Sequence, residues 1–347
     1  MTKIAFAFDV GNGYVKAKSN KREIIAPSSI AKKSSLGNSS LTGLLNDTSY
    51  DYSVFKTQLD DGEEYVWGKD IAKAVDPKDL IDTYTHNDRY NQKRFKLLCL
   101  FILSELANDY SEEELKDVII VTGLPSQEID SEEANNFKSF LKQTYVVTRN
   151  GEQKVINITD VRMVEQPIGT LLNTYMNEEG QILKDLLTQT ITVVDFGAGT
   201  TILDTFKNMK RMPTKSRTYY EGINDLHREI ATRLEIKHGI KNLSPSLVDQ
   251  GFRRDDFTAI ISARRKFPFD EIAKEVIIEF IDNTLSNIDS TLTNRDTIDS
   301  FVITGGGVNI VRDTFKEKFN EESVVFVEDS QKSNLLGFFK LADNLTK

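Results

Sequence analysis

The alternation of apolar and polar positions repeats itself at two distant places in this chain. Near the start, the apolar run Ile4–Asp9 ends in an acid, and Tyr14–Lys18 follows with a period of two. Downstream, Thr192-Val-Val-Asp195 ends in an acid in the same way, and Thr201-Ile-Leu-Asp204 follows. A period of two predicts strands. Each place therefore reads as a strand–turn–strand hairpin with a Gly-x-Gly turn, Gly11–Gly13 in the first and Gly197–Gly199 in the second.

Further strands are predicted at Glu23–Ala26, within Asp51–Trp67 around the turn Asp60-Asp61-Gly62, and at Asp117–Thr122, Gln153–Ile158, Val161–Glu165, Phe301–Thr304 and Val324–Val327. Helical periodicity predicts Asn91–Leu106, Ser131–Gln143, a helix starting at Ile168–Tyr175, then Ile223–Glu235, Ser246–Asp249, Pro268–Ser290, Asp313–Phe319 and a last helix from Asn334 to the end. Asn177–Gln181 reads as a turn before the second half. Between Ser29 and Tyr50 the alternation fades into a stretch rich in Ser, Lys, Asn and Gly, expected to be a mobile surface insertion. Trp67, the single tryptophan, is expected to be a partly buried core residue. Helices and strands that alternate in this way imply two mixed-sheet α/β domains around a cleft.

The length of 347 residues suits two domains. A hydrophobic share of 39% with 28% charged residues leaves ample material for a core. The net charge of −9 and pI near 5.1 argue against a general nucleic-acid binder, which usually carries a basic face. The single cysteine, Cys99, sits in an apolar run and excludes an intrachain disulfide. No signal peptide is evident and no apolar run approaches the roughly 20 residues that span a bilayer. A cytoplasmic protein without membrane contact is expected.

The hairpins carry the candidate chemistry. Glycines at a turn let backbone N–H groups approach a phosphate closely. An acid at the end of a buried strand can hold magnesium, usually through water. Asp9 and Asp195 are the candidates for that role, and two such hairpins could clamp one triphosphate and its metal. A third element, Phe301-Val-Ile-Thr304, feeds the run Gly305-Gly306-Gly307. Three adjacent glycines cost backbone entropy, so a flat ligand against the backbone is expected there. The chain has no Gly-x-x-x-x-Gly-Lys-Ser/Thr loop and no Gly-x-Ser-x-Gly elbow. His86, His227 and His238 show no metal-ligand spacing. Gly222-Ile-Asn-Asp225 reads as a helix N-terminus with Asn224 or Asp225 in its first turn.

Two phosphate hairpins and a late Gly-Gly-Gly resemble the actin and sugar-kinase superfamily, whose fold is actin-like, a duplicated ribonuclease H-like arrangement of two domains with a central nucleotide cleft. Val121-Thr-Gly123-Leu-Pro125-Ser126, Asn87-Asp88-Arg89-Tyr90, Gln166-Pro167-Ile-Gly169-Thr170 and the late Asp329-Ser-Gln-Lys-Ser-Asn334-Leu-Leu-Gly337 narrow this to the bacterial actin-like plasmid-segregation proteins. The chain resembles the ParM family of Gram-positive plasmids. The resemblance implies a first domain of residues 1–165 with 335–347, carrying a small subdomain around 29–75, and a second domain of 166–334. It implies an ATPase that uses ATP, with GTP open, and Mg2+. Gly11, Asn12 and Gly13 would meet the γ-phosphate from one side, with Asn12 either donating to it or only stabilising the turn. Lys16 would reach back to the β- and γ-phosphates. Gly197, Gly199, Thr200 and Thr201 would act from the other side, and Gly305, Gly306 and Gly307 would lie under the ribose and α-phosphate. Asp9 and Asp195 would hold the metal through water, with Ala198 standing where actin has a second acid. Gln166, or its neighbour Glu165, would position the attacking water, which can suffice for a loose phosphoryl-transfer transition state. Ser333–Gly337 resembles the second connecting helix, where a small residue permits close packing.

The partners implied are further copies of the chain, head to tail in a filament, and a DNA-binding adaptor of ParR type on a centromere-like plasmid site that caps it. Direct nucleic-acid binding is not expected. A small-molecule kinase of the same superfamily would need a catalytic acid for an acceptor hydroxyl, and no such motif is evident. A non-polymerising actin-fold scaffold is the third reading.

Overall fold

The strand pairing repeats as the sequence pattern does. The computed structural model describes residues 3–36, 50–83, 88–177, 179–319 and 323–347. It divides into two compact units, Met1–Gln181 with Asn334–Lys347, and Ile182–Ser333.

The strands of the first unit are β1 (Ile4–Val10), β2 (Tyr14–Ser19), β3 (Glu23–Pro27), β4 (Ser29–Lys32), β5 (Ser53–Thr57), β6 (Tyr65–Trp67), β7 (Ile81–Asp82), β8 (Val118–Leu124), β9 (Thr144–Arg149) and β10 (Glu152–Glu165). Among the described residues they form one sheet in the order β3-β2-β1-β8-β10-β9-β5-β6-β4-β7. Its longer helices are α1 (Lys93–Ala107), α2 (Glu132–Leu141), α3 (Gln166–Tyr175) and the C-terminal Ser333–Asn344. The first of these, α1, is apolar nearly all round, which suits only a buried helix. Leu97 to Ala107 are all buried, and Phe101 stacks on Phe55 at 4.6 Å. Burial pushes the Cys99 thiol up to about 12, as a core cysteine requires.

The second unit has β11 (Thr190–Phe196), β12 (Thr201–Lys207), β13 (Lys210–Arg211), β14 (Arg217–Tyr219), β17 (Ser300–Thr304) and β18 (Val324–Phe326) in one sheet, and β15 (Thr258–Ser262) with β16 (Arg265–Pro268) as a separate pair. Its longer helices are α4 (Ile223–His238), α5 (Pro245–Arg253), α6 (Asp270–Leu292) and α7 (Val308–Lys318), and Ser333–Asn344 becomes α8. The duplication is visible in pairing: β1 runs antiparallel to β2 and parallel to β8, and β11 runs antiparallel to β12 and parallel to β17.

Several expectations need revision. The expected boundary at 165/166 assigned α3 to the second domain, but this helix packs on β8 and β10 and groups with the first unit. Gln153–Ile158 and Val161–Glu165 are one strand, β10, which pairs with β9 up to Asn157 and with β8 from Ile158, with an irregularity between Ile158 and Asp160. Trp67 is wholly buried, and its indole N–H donates to the Pro27 carbonyl at 2.8 Å. Of the expected insertion, residues 37–49 lie outside the described residues, while Ser29–Lys32 is an ordinary sheet strand. His86 and Asn87 also lie outside them. Among the described residues no helix is long and apolar enough to cross a membrane.

Near the C-terminus, α8 crosses α3 at van der Waals distance. A Cβ on Gly337 would sit 1.7 Å from the Gly169 carbonyl oxygen. Thr170 Oγ1 donates to Asn334 Oδ1 at 2.8 Å beside that contact. The small residue expected in the Ser333–Gly337 segment is thus a steric necessity.

Candidate functional site

Each unit carries one candidate phosphate turn. In the first, the antiparallel register sets Asp9 directly opposite Lys16. The spacing of seven that the sequence shows is therefore one cross-strand pair. Lys16 Nζ lies 3.4 Å from Asp9 Oδ2. Gln166, the first residue of α3, donates from Nε2 to Asp9 Oδ1 at 3.1 Å. Pro167 follows in the first turn, where its missing N–H costs nothing. Gly123 makes room, since a Cβ there would press on Gln166 Cγ at 3.1 Å and on the Phe338 ring at 2.2 Å. The structure thus gathers Asp9, Gly11, Asn12, Gly13, Lys16 and Gln166. Of the two residues left open from the sequence, Gln166 sets its Nε2 against Asp9.

The turn itself is tied off from behind. Gly11 N–H donates to the Tyr14 carbonyl at 3.1 Å. Ser28 donates its hydroxyl to the Gly11 carbonyl at 2.6 Å and its N–H to the Gly13 carbonyl at 3.0 Å. The Arg89 guanidinium donates to the Val10 carbonyl, and to Asn12 Oδ1 at 3.4 Å.

The second unit reaches the same result with other groups. Gly197 N–H donates to the Thr200 carbonyl at 2.9 Å, the counterpart of the Gly11–Tyr14 bond. The Gly197 and Ala198 carbonyls accept from Ile223 N–H at 3.1 Å and Asn224 N–H at 2.8 Å, and the Phe196 carbonyl from Gly307 N–H at 3.0 Å. The donors at 223 and 224 belong to the first turn of α4, whose N–H groups have no partner inside the helix. Helix α4 begins at Ile223 as the sequence predicts, with the Asp225 carboxylate accepting from Gly222 N–H at 3.0 Å. A Cβ on Gly222 would lie 2.5 Å from Thr200 N. Glu221 beside it titrates above the ordinary carboxylate range, first because burial desolvates it and then because Asp225 is near.

In the first turn the Val10, Gly11 and Gly13 carbonyls, and in the second those of Phe196, Gly197, Ala198 and Thr200, accept from the protein's own donors, while among the described residues the N–H groups of Asn12, Gly13, Ala198, Gly199 and Thr200 donate to no backbone carbonyl. That is the hydrogen-bonding character of an anion site. The two glycines of each turn differ in cause. A Cβ on Gly11 would be 2.8 Å from the Tyr14 carbonyl oxygen, and one on Gly197 would be 2.9 Å from that of Thr200. Gly13 and Gly199 have no atom within 4 Å of that position and no left-handed φ. Packing does not require glycine at either.

The glycine run divides similarly. Gly305 has φ of +105°, and a Cβ there would fall 2.3 Å from Asp195 Oδ1. Gly307 would collide with Ile223 at 2.1 Å. These two have structural reasons that the sequence argument did not credit. Only Gly306 is exposed, with Gln331 at 4.0 Å its nearest neighbour. Thr201 is likewise a scaffold residue, buried with its hydroxyl donated to the Glu221 carbonyl at 2.8 Å. Thr200 stays half-buried at the turn. Lys18 pairs with Glu23 at 3.1 Å and Asp204 with Arg211 at 2.6 Å, so neither joins the turns.

Among the described residues no group of three or more His, Cys, Asp or Glu could hold a metal. Magnesium does not need one, because it binds through one or two carboxylates, phosphate oxygens and retained waters. Asp9 already accepts from Lys16 and Gln166, which suits water-mediated contact better than direct ligation. The residues fit that ion.

Sequence reasoning gave no role to Ser28, Arg89 or the first turn of α4 as turn supports. Arg89 lay within a segment that carried the family likeness. Ser28 had no signal.

Residues 7–169 match the N-terminal domain of actin-like proteins, and residues 193–317 match the C-terminal domain of the archaeal MreB-like actin homologue. The crystal structure of the apo psk41 ParM protein shares 31% identity over 99% of this chain and 98% of its own, with a TM-score of 0.81. The chain belongs to the ParM family of actin-like proteins. Two further solved structures match in fold. The archaeal actin homolog Ta0583 in complex with ADP is 20% identical, with 99% of each chain covered and a TM-score of 0.73. A 15-stranded ParM filament from Clostridium botulinum is 17% identical, with 99% of each chain covered and a TM-score of 0.75. No curated protein matches significantly. The two units of this ParM-family chain therefore have the actin-like fold, and the two hairpins lie in the regions matched by its two domain models.

Proposed function

We propose that the chain is an actin-like ATPase that polymerises head to tail with Mg-ATP and segregates plasmid DNA in the cytoplasm. The observation that carries this is the matched pair of turns whose carbonyls are largely tied to the protein's own donors, each with a strand-end Asp behind it. Gly11, Asn12 and Gly13 take the γ-phosphate, with Lys16 as a point charge on the β- and γ-oxygens. Gly197, Gly199 and Thr200 take the opposite phosphate oxygens, and Gly306 lies under the ribose. Asp9 and Asp195 hold magnesium through water, and the ion when bound neutralises charge on the phosphates. Gln166 orients the attacking water: its Nε2 is committed to Asp9, which leaves Oε1 to accept from that water. Water adds to the γ-phosphorus as the bond to the bridging oxygen breaks, the water's proton passes to a phosphate oxygen, and ADP and phosphate leave.

Filament formation is supported by membership of the ParM family and by a relative whose solved structure is a ParM filament. Hydrolysis then destabilises the polymer unless a DNA-bound adaptor of ParR type caps it at a centromere-like site. The net charge of −9 suits an indirect link to DNA. GTP is accepted if the base pocket tolerates it.

The test is right-angle light scattering of the purified chain after Mg-ATP, with electron microscopy of the same sample and phosphate release in parallel. Filaments that appear with ATP and decay as phosphate is released are expected. Bound ATP with a flat trace at every protein concentration refutes the filament reading. Transfer of phosphate to a sugar or acid acceptor would favour the kinase alternative, and binding without turnover the scaffold.

A further inference from the structure

We propose that Arg89 orients the Asn12 carboxamide and thereby sets a preference for ATP over ADP. The inference rests on the first turn being the γ-phosphate site. A carboxamide has two faces, a donor NH2 and an acceptor oxygen, and an exposed Asn at a turn tip is ordinarily free to present either. A guanidinium has only donors. With Arg89 Nη1 3.4 Å away, Asn12 must turn its oxygen toward Arg89. The NH2 is then aimed away from the guanidinium, where it can only donate. Lys could not replace Arg here, because one ammonium does not span the Val10 carbonyl and the Asn12 carboxamide as the planar fork does.

Arg89 is itself held in a fixed place. Asp88 before it takes a left-handed conformation, φ +51°, and Arg89–Asn91 forms a single 3-10 turn into α1. Tyr90 donates its hydroxyl to Glu128 at 2.5 Å and stacks on Phe137 at 5.1 Å, pinning that turn into the core. The guanidinium carbon lies 4.7 Å from the centre of the Phe95 ring. The second turn has no equivalent. Ala198 stands where Asn12 does, and helix N–H groups stand where the guanidinium does. At the matching tip position of the second hairpin, Ala198 brings no side-chain donor.

The experiment compares mant-labelled ADP with a mant-labelled non-hydrolysable ATP analogue, both with Mg2+, on the full chain at concentrations where scattering stays flat. Asn12→Ala should lower the ATP-analogue/ADP affinity ratio roughly tenfold, the worth of one hydrogen bond to a charged group. Arg89→Ala should lower it by a similar factor, and the double variant no further, since the two act in series. Asn12→Asp keeps the acceptor for Arg89 and loses the donor, so it should lower the ratio at least as much as Asn12→Ala. Equal losses of ADP and ATP-analogue affinity in Arg89→Ala would make Arg89 a mere turn support and overturn the proposal. So would full additivity in the double variant. Should Arg89→Ala fail to fold, Arg89→Lys and Asn12→Asp carry the comparison, and an unchanged ratio in both overturns it. A wild-type chain that binds neither nucleotide fails the underlying reading instead.

Discussion

Substituting Gly199 or Gly13 by alanine should separate folding from binding, because the fold gives neither position a reason to be glycine. The added methyl meets nothing within 4 Å, and the backbone there is not left-handed. Restricting the unfolded chain then stabilises the apo protein by about 0.4–1 kcal/mol at most. A phosphate drawn up to the turn N–H groups has no room for that methyl. Loss of one backbone hydrogen bond to a charged oxygen costs about 1.5–3 kcal/mol, or roughly 10- to 100-fold in Kd. The inner glycines give the contrast. Gly11→Ala and Gly197→Ala press a Cβ to within 2.8 and 2.9 Å of a backbone oxygen inside the turn, so both should lower the apo melting temperature. The assay is thermal melting without nucleotide beside calorimetric titration of Mg-ATP. Gly13→Ala and Gly199→Ala with wild-type affinity would refute close approach of a ligand to these turns. A clear loss of apo stability would refute the claim that packing leaves them free.

Other expectations concern separate parts of the molecule. Gln166→Ala should bind ATP within a few-fold of wild type, because Asp9 keeps Lys16, yet release phosphate roughly 100-fold more slowly; single-turnover phosphate release checks this. Gly337→Ala forces a Cβ into the Gly169 carbonyl oxygen at 1.7 Å and should destabilise the first unit by more than the about 1–3 kcal/mol of ordinary overpacking, read by denaturant melts. His227 is buried against Phe252, and desolvation holds its imidazole below its ordinary value of 6.5. The unfolded chain therefore binds the extra proton first, so this contribution is present above pH 6.5 and is lost as pH falls below it. His227→Phe should shrink the drop in melting temperature between pH 7.5 and 5.5, and an unchanged drop would remove His227 from the account.

The hairpins were legible because two constraints coincide in them: the strand period fixes which face is buried, and the turn fixes where glycine falls. Asp9 was legible from its place at the end of an apolar strand, Lys16 came with the family resemblance, and the antiparallel register makes the two facing partners. The supports behind the turns were not legible. Ser28 and Arg89 lie 17 and 79 residues from their acceptors, and no local pattern encodes such a contact. The glycine run misled for a related reason. Gly305 and Gly307 answer to Asp195 and Ile223, distant residues that only the folded sheet brings up. The domain boundary was misplaced because helical periodicity shows where α3 begins but not which sheet it covers.

The two turns reach one hydrogen-bonding result by different means, and the difference has a consequence. Behind the second turn stand helix N–H groups and the partial positive charge of a helix N-terminus, which are fixed in the backbone and act on any nearby anion. Behind the first stand a guanidinium and, across the strand pair, an ammonium, which are full charges on side chains. Full charges discriminate more between nucleotides that differ by one phosphate than backbone dipoles do. The second turn should then contribute similarly to ADP and ATP binding, and the first should carry most of the difference. It follows that Lys16→Met should lower ATP affinity more than ADP affinity, whereas Gly199→Ala should lower both by similar factors. Titration of each variant with both nucleotides decides this, and equal ratios in the two variants would mean that the turns do not divide the work in this way.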